Sequence, residues 1–448
     1  MNQISKKHIT FFSATAIVIA NMIGTGVFTS LGFQLLGLSS PLSILLLWIV
    51  GGIVALCGAL VYGELGAAMP KSGGEYHYLS RLYHPSVGFA SGWVSSTVGF
   101  AAPVALAAMT LGKYSSDVLP MLNETYLAIG VVLVITAIHC FHLEKGIGFQ
   151  NIATTVKVVL VLAFIICGFF IETPQKLNFE LNELSMNEVL SNSFAVSLIF
   201  VSYAYSGWNA SAYLTGEMVN PKKDLPKSLL VGTGVVMALY ILLNYIFLYT
   251  APVPELVGKV DVGYISAEHI FNQTGANIMG WVISLLLVSS ISAMIIAGPR
   301  VAQSMGEDTK ILSFLGKKTL TGIPLTAIIF QSSISCILIM TSSFDKVLTF
   351  VGFSLSLFTF LSVFGIFILR RKDLSNNTYK TFGYPFTPII FLLLNLWTLY
   401  FVAKDKPTET LFGLGIVAMG FVLYFLNPKK EFKAETNKTD SIDSDLLQ

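Results

Sequence analysis

Long apolar runs separated by short polar stretches recur along the whole chain. Each is close to the roughly 20 residues that an α-helix needs to cross a bilayer. The pattern predicts spans at 9–36, 42–68, 86–112, 125–142, 149–171, 191–216, 228–251, 276–305, 322–342, 346–370, 384–403 and 408–427. The expected fold is an all-α integral membrane protein with twelve transmembrane helices, filling residues 1–427. Residues 428–448 are polar, almost without aromatics, and read as a disordered tail. Two loops, 172–190 and 252–275, keep some apolar residues and are expected to carry short surface helices.

Two spans contain interruptions. Met22-Ile-Gly-Thr-Gly-Val-Phe28 falls inside the first, and Tyr203-Ala-Tyr-Ser-Gly-Trp-Asn209 inside the sixth. A break at membrane depth persists only where protein or a cavity surrounds it. Paired breaks in corresponding spans point to the substrate site of a secondary transporter. If spans one to five and six to ten are inverted repeats (about 9–171 and 191–370), with two extra helices over about 384–427, the breaks face one another. Carbonyl ends near Met22 and Tyr203 then favour an ammonium, and N–H ends near Gly26 and Gly207 favour a carboxylate. Such a cavity suits an α-amino acid. Gly24 and Gly26 permit close backbone approach, and Thr25 adds a hydroxyl. The plainer reading of Gly-Thr-Gly is a small-residue packing face; the matching second break argues for the cavity.

Composition sharpens this picture. With 54% hydrophobic and 12% charged residues, the chain is not a soluble globule, and a net charge of +2 gives no reason to expect nucleic acid. Placing the N-terminus in the cytoplasm puts twenty of the 27 Lys and Arg residues on the inner side and six on the outer, with Lys157 inside a span. That bias predicts cytoplasmic termini in the plasma (cell inner) membrane. The first apolar run is too long for a cleavable signal. Cys57, Cys140, Cys167 and Cys336 all lie in predicted spans and read as packing residues. His139 and His142 straddle a membrane boundary without acidic or thiol companions, so neither a metal nor another cofactor is expected. No nucleophile–base spacing suggests an enzyme.

Five motifs, in order, resemble those of the amino acid–polyamine–organocation (APC) superfamily, closest to its L-type amino acid transporters. They are Gly24-Thr-Gly-Val-Phe28, Tyr62-Gly-Glu-Leu-Gly with Pro70-Lys-Ser-Gly-Gly-Glu-Tyr76, the sixth-span Tyr203–Asn209 stretch, Glu217-Met-Val-Asn-Pro-Lys-Lys-Asp-Leu-Pro226 and Gly298-Pro-Arg300. The similarity runs from about residue 10 to 370. It implies alternating access, amino acids as substrates, carboxylate contacts from Thr25 and Gly26, and ammonium contacts from the Met22 and Tyr203 carbonyls. Tyr203 would also be the outer gate, while Trp208 and Asn209 support the break. Ser206 stands where the L-type motif has glycine, which implies a smaller or more polar side-chain pocket. Met-Gly-Glu-Asp (305–308) departs from the family's basic-acidic run, so the inner gate's ion pairs are left open. The outer loop 113–124 lacks the cysteine that bonds an ancillary glycoprotein, and no disulfide-linked partner is implied.

Lys157 is the only Lys or Arg deep in a span, where a charge costs roughly 2.5–3.5 kcal/mol on insertion scales. Snorkelling to the inner interface is the bland alternative. The resemblance places it where sodium-coupled relatives hold a sodium ion, implying sodium-independent transport by exchange or proton coupling. Glu64 reads as a structural partner for an inner loop. The expected function is transport of neutral amino acids, since no acidic pair awaits a cationic side chain. The alternative is a channel or a non-transporting sensor on the same bundle.

Overall fold

A computed structural model describes residues 9–427 apart from 119, 122, 142–145, 320–322 and 373–377. The expected tail and His142 lie outside the described residues. The first span is α1 (Phe11–Met22) and α2 (Gly26–Gln34), and the second is α3 (Pro41–Ala68). A loop helix, α4 (Glu75–Leu82), leads to α5 (Pro85–Val94), a π-helical turn at Ser95–Gly99 and α6 (Ala101–Val118). Then come α7 (Glu124–Phe141), α8 (Gly146–Gly168), the surface helix α9 (Glu183–Val189) and α10 (Asn192–Ala204), which continues as a 3-10 helix over Ala210–Glu217. The remainder is α11 (Pro221–Thr250), α12 (Val253–Leu256), α13 (Val262–Asp308), α14 (Leu325–Thr341), α15 (Phe344–Arg371), α16 (Phe386–Asp405) and α17 (Pro407–Leu426).

Every expected span coincides with helix, although the helices are unequal in reach. Among the described residues, eight helical segments are long and apolar enough to cross a membrane. The bent pair α9–α10 would bring that number to nine, and three shorter apolar stretches (Glu124–Cys140, Thr154–Gly168 and Leu325–Thr341) fall at other expected positions. Helix starts follow local chemistry. Ser40 caps α3 ahead of Pro41, and Ser191 accepts the Phe194 N–H at the start of α10. Asn182 and Ser185 form a reciprocal cap on α9.

Two irregularities depart from the expected pattern. The third span is interrupted by the π-turn, where the Ser96 and Thr97 hydroxyls donate to the Trp93 carbonyl (3.0 and 2.7 Å). Pro103, lacking an N–H, also leaves the Gly99 carbonyl without its helical donor. The eighth span belongs to a longer helix that begins at Val262 and kinks at Asn272, whose φ is +64°. The Asn272 side chain accepts the Thr274 N–H (3.1 Å) and restarts the helix there.

In the packed bundle α3 lies against α11, α6 against α13, and α1 and α2 against α10 and its 3-10 continuation. Helix α16 fits between α3, α10 and α15, and α17 covers α5 and α15. The core is largely one apolar cluster spanning these helices.

Candidate substrate site at the paired helix breaks

The glycines at the two breaks explain why the spans can meet there. A Cβ on Gly26 would fall 2.5 Å from the Ala204 Cα, so the start of α2 packs backbone-to-backbone on the end of α10. Reciprocally, Gly207 has φ +96°, and a Cβ on it would sit 2.9 Å from the Asn21 backbone. Any other residue there would be both strained and obstructed. Gly24 instead faces open space, with only the Met22 oxygen within 4 Å of a Cβ. Gly26 therefore serves helix contact as well as the approach to the cavity, and Gly24 is the barer of the two.

Met22, Gly24, Thr25, Gly26, Tyr203, Ser206 and Gly207 all line one cavity of about 920 Å³, within the range of small-molecule sites. The N–H groups of Thr25 and Gly26 begin α2 with no preceding helical turn to satisfy them. The Thr25 and Tyr203 hydroxyls lie 3.5 Å apart. The carbonyls at the breaks are partly engaged. Tyr240 of α11 donates its hydroxyl to the Met22 oxygen and also lies 3.2 Å from the Ala204 oxygen. Met22 further accepts the Gly24 N–H (2.8 Å), and the Tyr203 oxygen accepts the Ser206 N–H (2.8 Å). Tyr240 thus ties both helix ends together. Nothing local in the sequence marks it, because it is one tyrosine in an apolar span.

The cavity opens toward the end of the bundle with the Lys- and Arg-rich loops, where Lys71, His77, Arg300, Glu307 and Asp308 line it. At the opposite end it is closed. Phe33 stacks on Phe344 (5.8 Å) and meets Phe200 (6.1 Å). Helix α2 is pinned beneath the 256–263 segment: Gly258 N–H donates to the Gly32 oxygen (2.7 Å). Tyr114 Oη donates to the Phe28 oxygen (3.3 Å) and accepts the Gly263 N–H (3.1 Å).

Trp208 packs its ring edge-on to Tyr62 (4.7 Å) beneath Gly58, and Asn209 donates to Glu75 (3.1 Å), so both brace the second break. Glu75 is buried and also accepts from Tyr62 Oη (2.8 Å). Burial pushes its carboxyl up to about 7, against the two hydrogen bonds that favour its charged form. Glu64 receives the Arg370 guanidinium through both oxygens (3.0 and 2.8 Å) and the Thr381 N–H (2.6 Å), while Arg370 lies 3.7 Å over the Tyr384 ring. It therefore ties α3 to α15 and to the segment before α16. At the end of α13, Glu307 pairs with Lys318 (2.8 Å), and Asp308 accepts from Tyr76 Oη (2.9 Å).

Lys157 sits apart from the main cavity, on the other side of the first break. It shares a small hollow with Ile23, Gly24 and Ser290, is 2% exposed, and donates to Ser290 Oγ of α13 (2.7 Å). Its hydrogen-bond partner is thus a hydroxyl of the eighth span and not a carbonyl of the first break. The cysteines are free thiols, and His139 pairs with Ser292 Oγ (2.8 Å).

The model of the amino acid permease family matches residues 9–424. The chain is 29% identical over 440 residues to the mouse b(0,+)-type amino acid transporter 1, covering 94% of this chain and 88% of that one. It is 28% identical over 448 residues to the human large neutral amino acids transporter small subunit 2 (94% and 80% covered). It is also 28% identical over 393 residues to the serine/threonine exchanger SteT of Bacillus subtilis (86% and 88% covered). With apolar helices throughout and a cavity built on two helix breaks, the chain belongs to the amino acid permease family of the APC superfamily.

Proposed function

We propose that this protein is a sodium-independent secondary transporter that moves neutral amino acids across the plasma membrane by alternating access, as an exchanger or a proton-coupled permease. The observation that carries the reading is the pair of interlocked breaks facing one cavity. Unsatisfied N–H groups at the start of α2 offer a place for a carboxylate, and carbonyls at the end of α1 and near Tyr203 a place for an ammonium. The packing of α3 on α11, α6 on α13 and the first span on the sixth is what two inverted repeats of five helices would produce. Twelve crossings with both termini inside fit that arrangement and the charge bias of the loops. A cavity closed at one end favours alternating access over a channel. Lys157 beside the first break supplies a fixed ammonium, supporting independence from sodium. Neutral amino acids are also the cargo named for one relative, and serine and threonine for another.

The test is uptake of labelled amino acids into liposomes holding the purified protein. It is run in sodium-free buffer, with and without internal amino acid, and with and without a pH gradient. Saturable uptake that depends on counter-substrate or on the gradient is expected. Strict dependence on sodium, or non-saturable flux, would overturn the reading.

A further inference from the structure

Glu75 lies on α4, the short helix between the second and third spans, yet it lines the main cavity and is 2% exposed. Its two bonds, from Tyr62 Oη (2.8 Å) and Asn209 Nδ2 (3.1 Å), both fall on Oε1. Oε2 takes no bond from the described residues and is not sealed from the cavity, so water entering at the mouth reaches it. A buried carboxylate is costly unless a counter-charge or enough donors offset its lost hydration. No counter-charge faces this one. The titratable groups around it are phenols: Tyr62 of α3, Tyr78 of α4 and Tyr213 of the 3-10 helix. Burial and the charges of Lys71 and Arg81 push the nearby His77 imidazole down to about 4, so it stays neutral. Charged groups on the other elements around α4 are directed elsewhere. His84 accepts the Ser86 N–H at the start of α5, Asp308 of α13 takes the Tyr76 hydroxyl, and Lys372 after α15 donates to the Leu82 oxygen.

We infer that Glu75 is a one-sided proton latch: the inner mouth closes only after this carboxyl has taken a proton from the cytoplasmic side, and it returns the proton there on reopening. This deepens the proposed alternating access and rests on it. With the mouth open, as in this structure, the charged form keeps water at Oε2. Closing the mouth removes that water, so closure selects the neutral form. The bond from Asn209 puts the group directly against the second break, where the helix has to move. Because α4 belongs to an inner loop, the proton exchanges with the cytoplasm alone. The latch therefore sets the rate of the cycle by internal pH and carries no proton across.

The experiment measures exchange of labelled L-serine and L-leucine in everted and in right-side-out membrane vesicles holding the full-length protein. The pH is varied between about 6 and 8 on one face at a time. The wild-type rate is expected to fall about ten-fold as the cytoplasmic face is made alkaline, as for one group titrating at about 7. The pH of the outer face should leave it unchanged. Glu75→Gln cannot ionise and should show a flat profile, while His77→Gln keeps the fall. Tyr62→Phe removes a donor to the charged form, so its fall should move to higher pH, a readout that does not need Glu75→Gln to fold. A flat wild-type profile would overturn the latch, as when Lys71 or Arg300 of the cavity wall moves in to pair with the carboxylate on closure. So would a response to the outer face, a fall that survives Glu75→Gln, or one that His77→Gln abolishes. Absence of exchange of both amino acids at every pH would instead overturn the proposed function.

Discussion

Tyr240 holds two helix ends with one hydroxyl, so its loss should be felt at both. Tyr240→Phe keeps the ring packing against Trp48 and Tyr205 and removes only the donor to Met22 and Ala204. Stability should fall by about 1–2 kcal/mol, and apparent substrate affinity should change because the Met22 carbonyl gains freedom. Thermal unfolding and a transport titration on the same preparation check both effects. Lys157→Ala should reduce turnover more than expression, since the amine bridges the fifth span to Ser290 of the eighth beside Gly24. Transport normalised to protein in the membrane decides, and full activity would mark the lysine as mere packing. Gly207→Ala should cost about 1–3 kcal/mol, because a side chain at φ +96° also meets the Asn21 backbone. Its thermal unfolding midpoint should drop even with substrate saturating.

At the scale of elements, both breaks were legible in the sequence because glycine inside an apolar run is a local signal. Their mutual grip was not: that Gly26 meets Ala204 and Gly207 meets Asn21 depends on how distant segments cross. The π-turn at Ser95–Gly99 was missed because serine and threonine are ordinary in membrane helices. Only the proximity of Pro103 hinted that a carbonyl would go without its donor. Lys157 stood out by charge alone, whereas its partner Ser290 could not be singled out among many serines. The aromatic closure of Phe33, Phe200 and Phe344 joins three elements far apart in sequence and was likewise invisible. It carries a prediction of its own. Phe33→Ala should loosen the closed end of the cavity. With the native cysteines replaced and a cysteine placed at Thr25, a membrane-impermeant thiol reagent should label the variant faster from the outer side than the Phe33 parent.

For the molecule as a whole, Glu75 links conformation to pH. Its carboxyl is held near 7 in the folded protein, above the ordinary value of 4.5. A group raised on folding contributes stability that is fully present below its unfolded value and is lost as pH rises through the folded one. Thermal stability should therefore decline between about pH 5 and 8. Glu75→Gln should flatten that decline while keeping an acceptor for Tyr62 and Asn209. An unchanged slope would mean that another group sets it.

At both contacts between the breaks the glycine brings no side chain to act as a cushion. Two backbones that touch at Gly26–Ala204 and Gly207–Asn21 behave like the teeth of a gear rather than a spring. If one half-helix tilts, the other must follow or the contact is lost. The two breaks are therefore expected to move together or not at all.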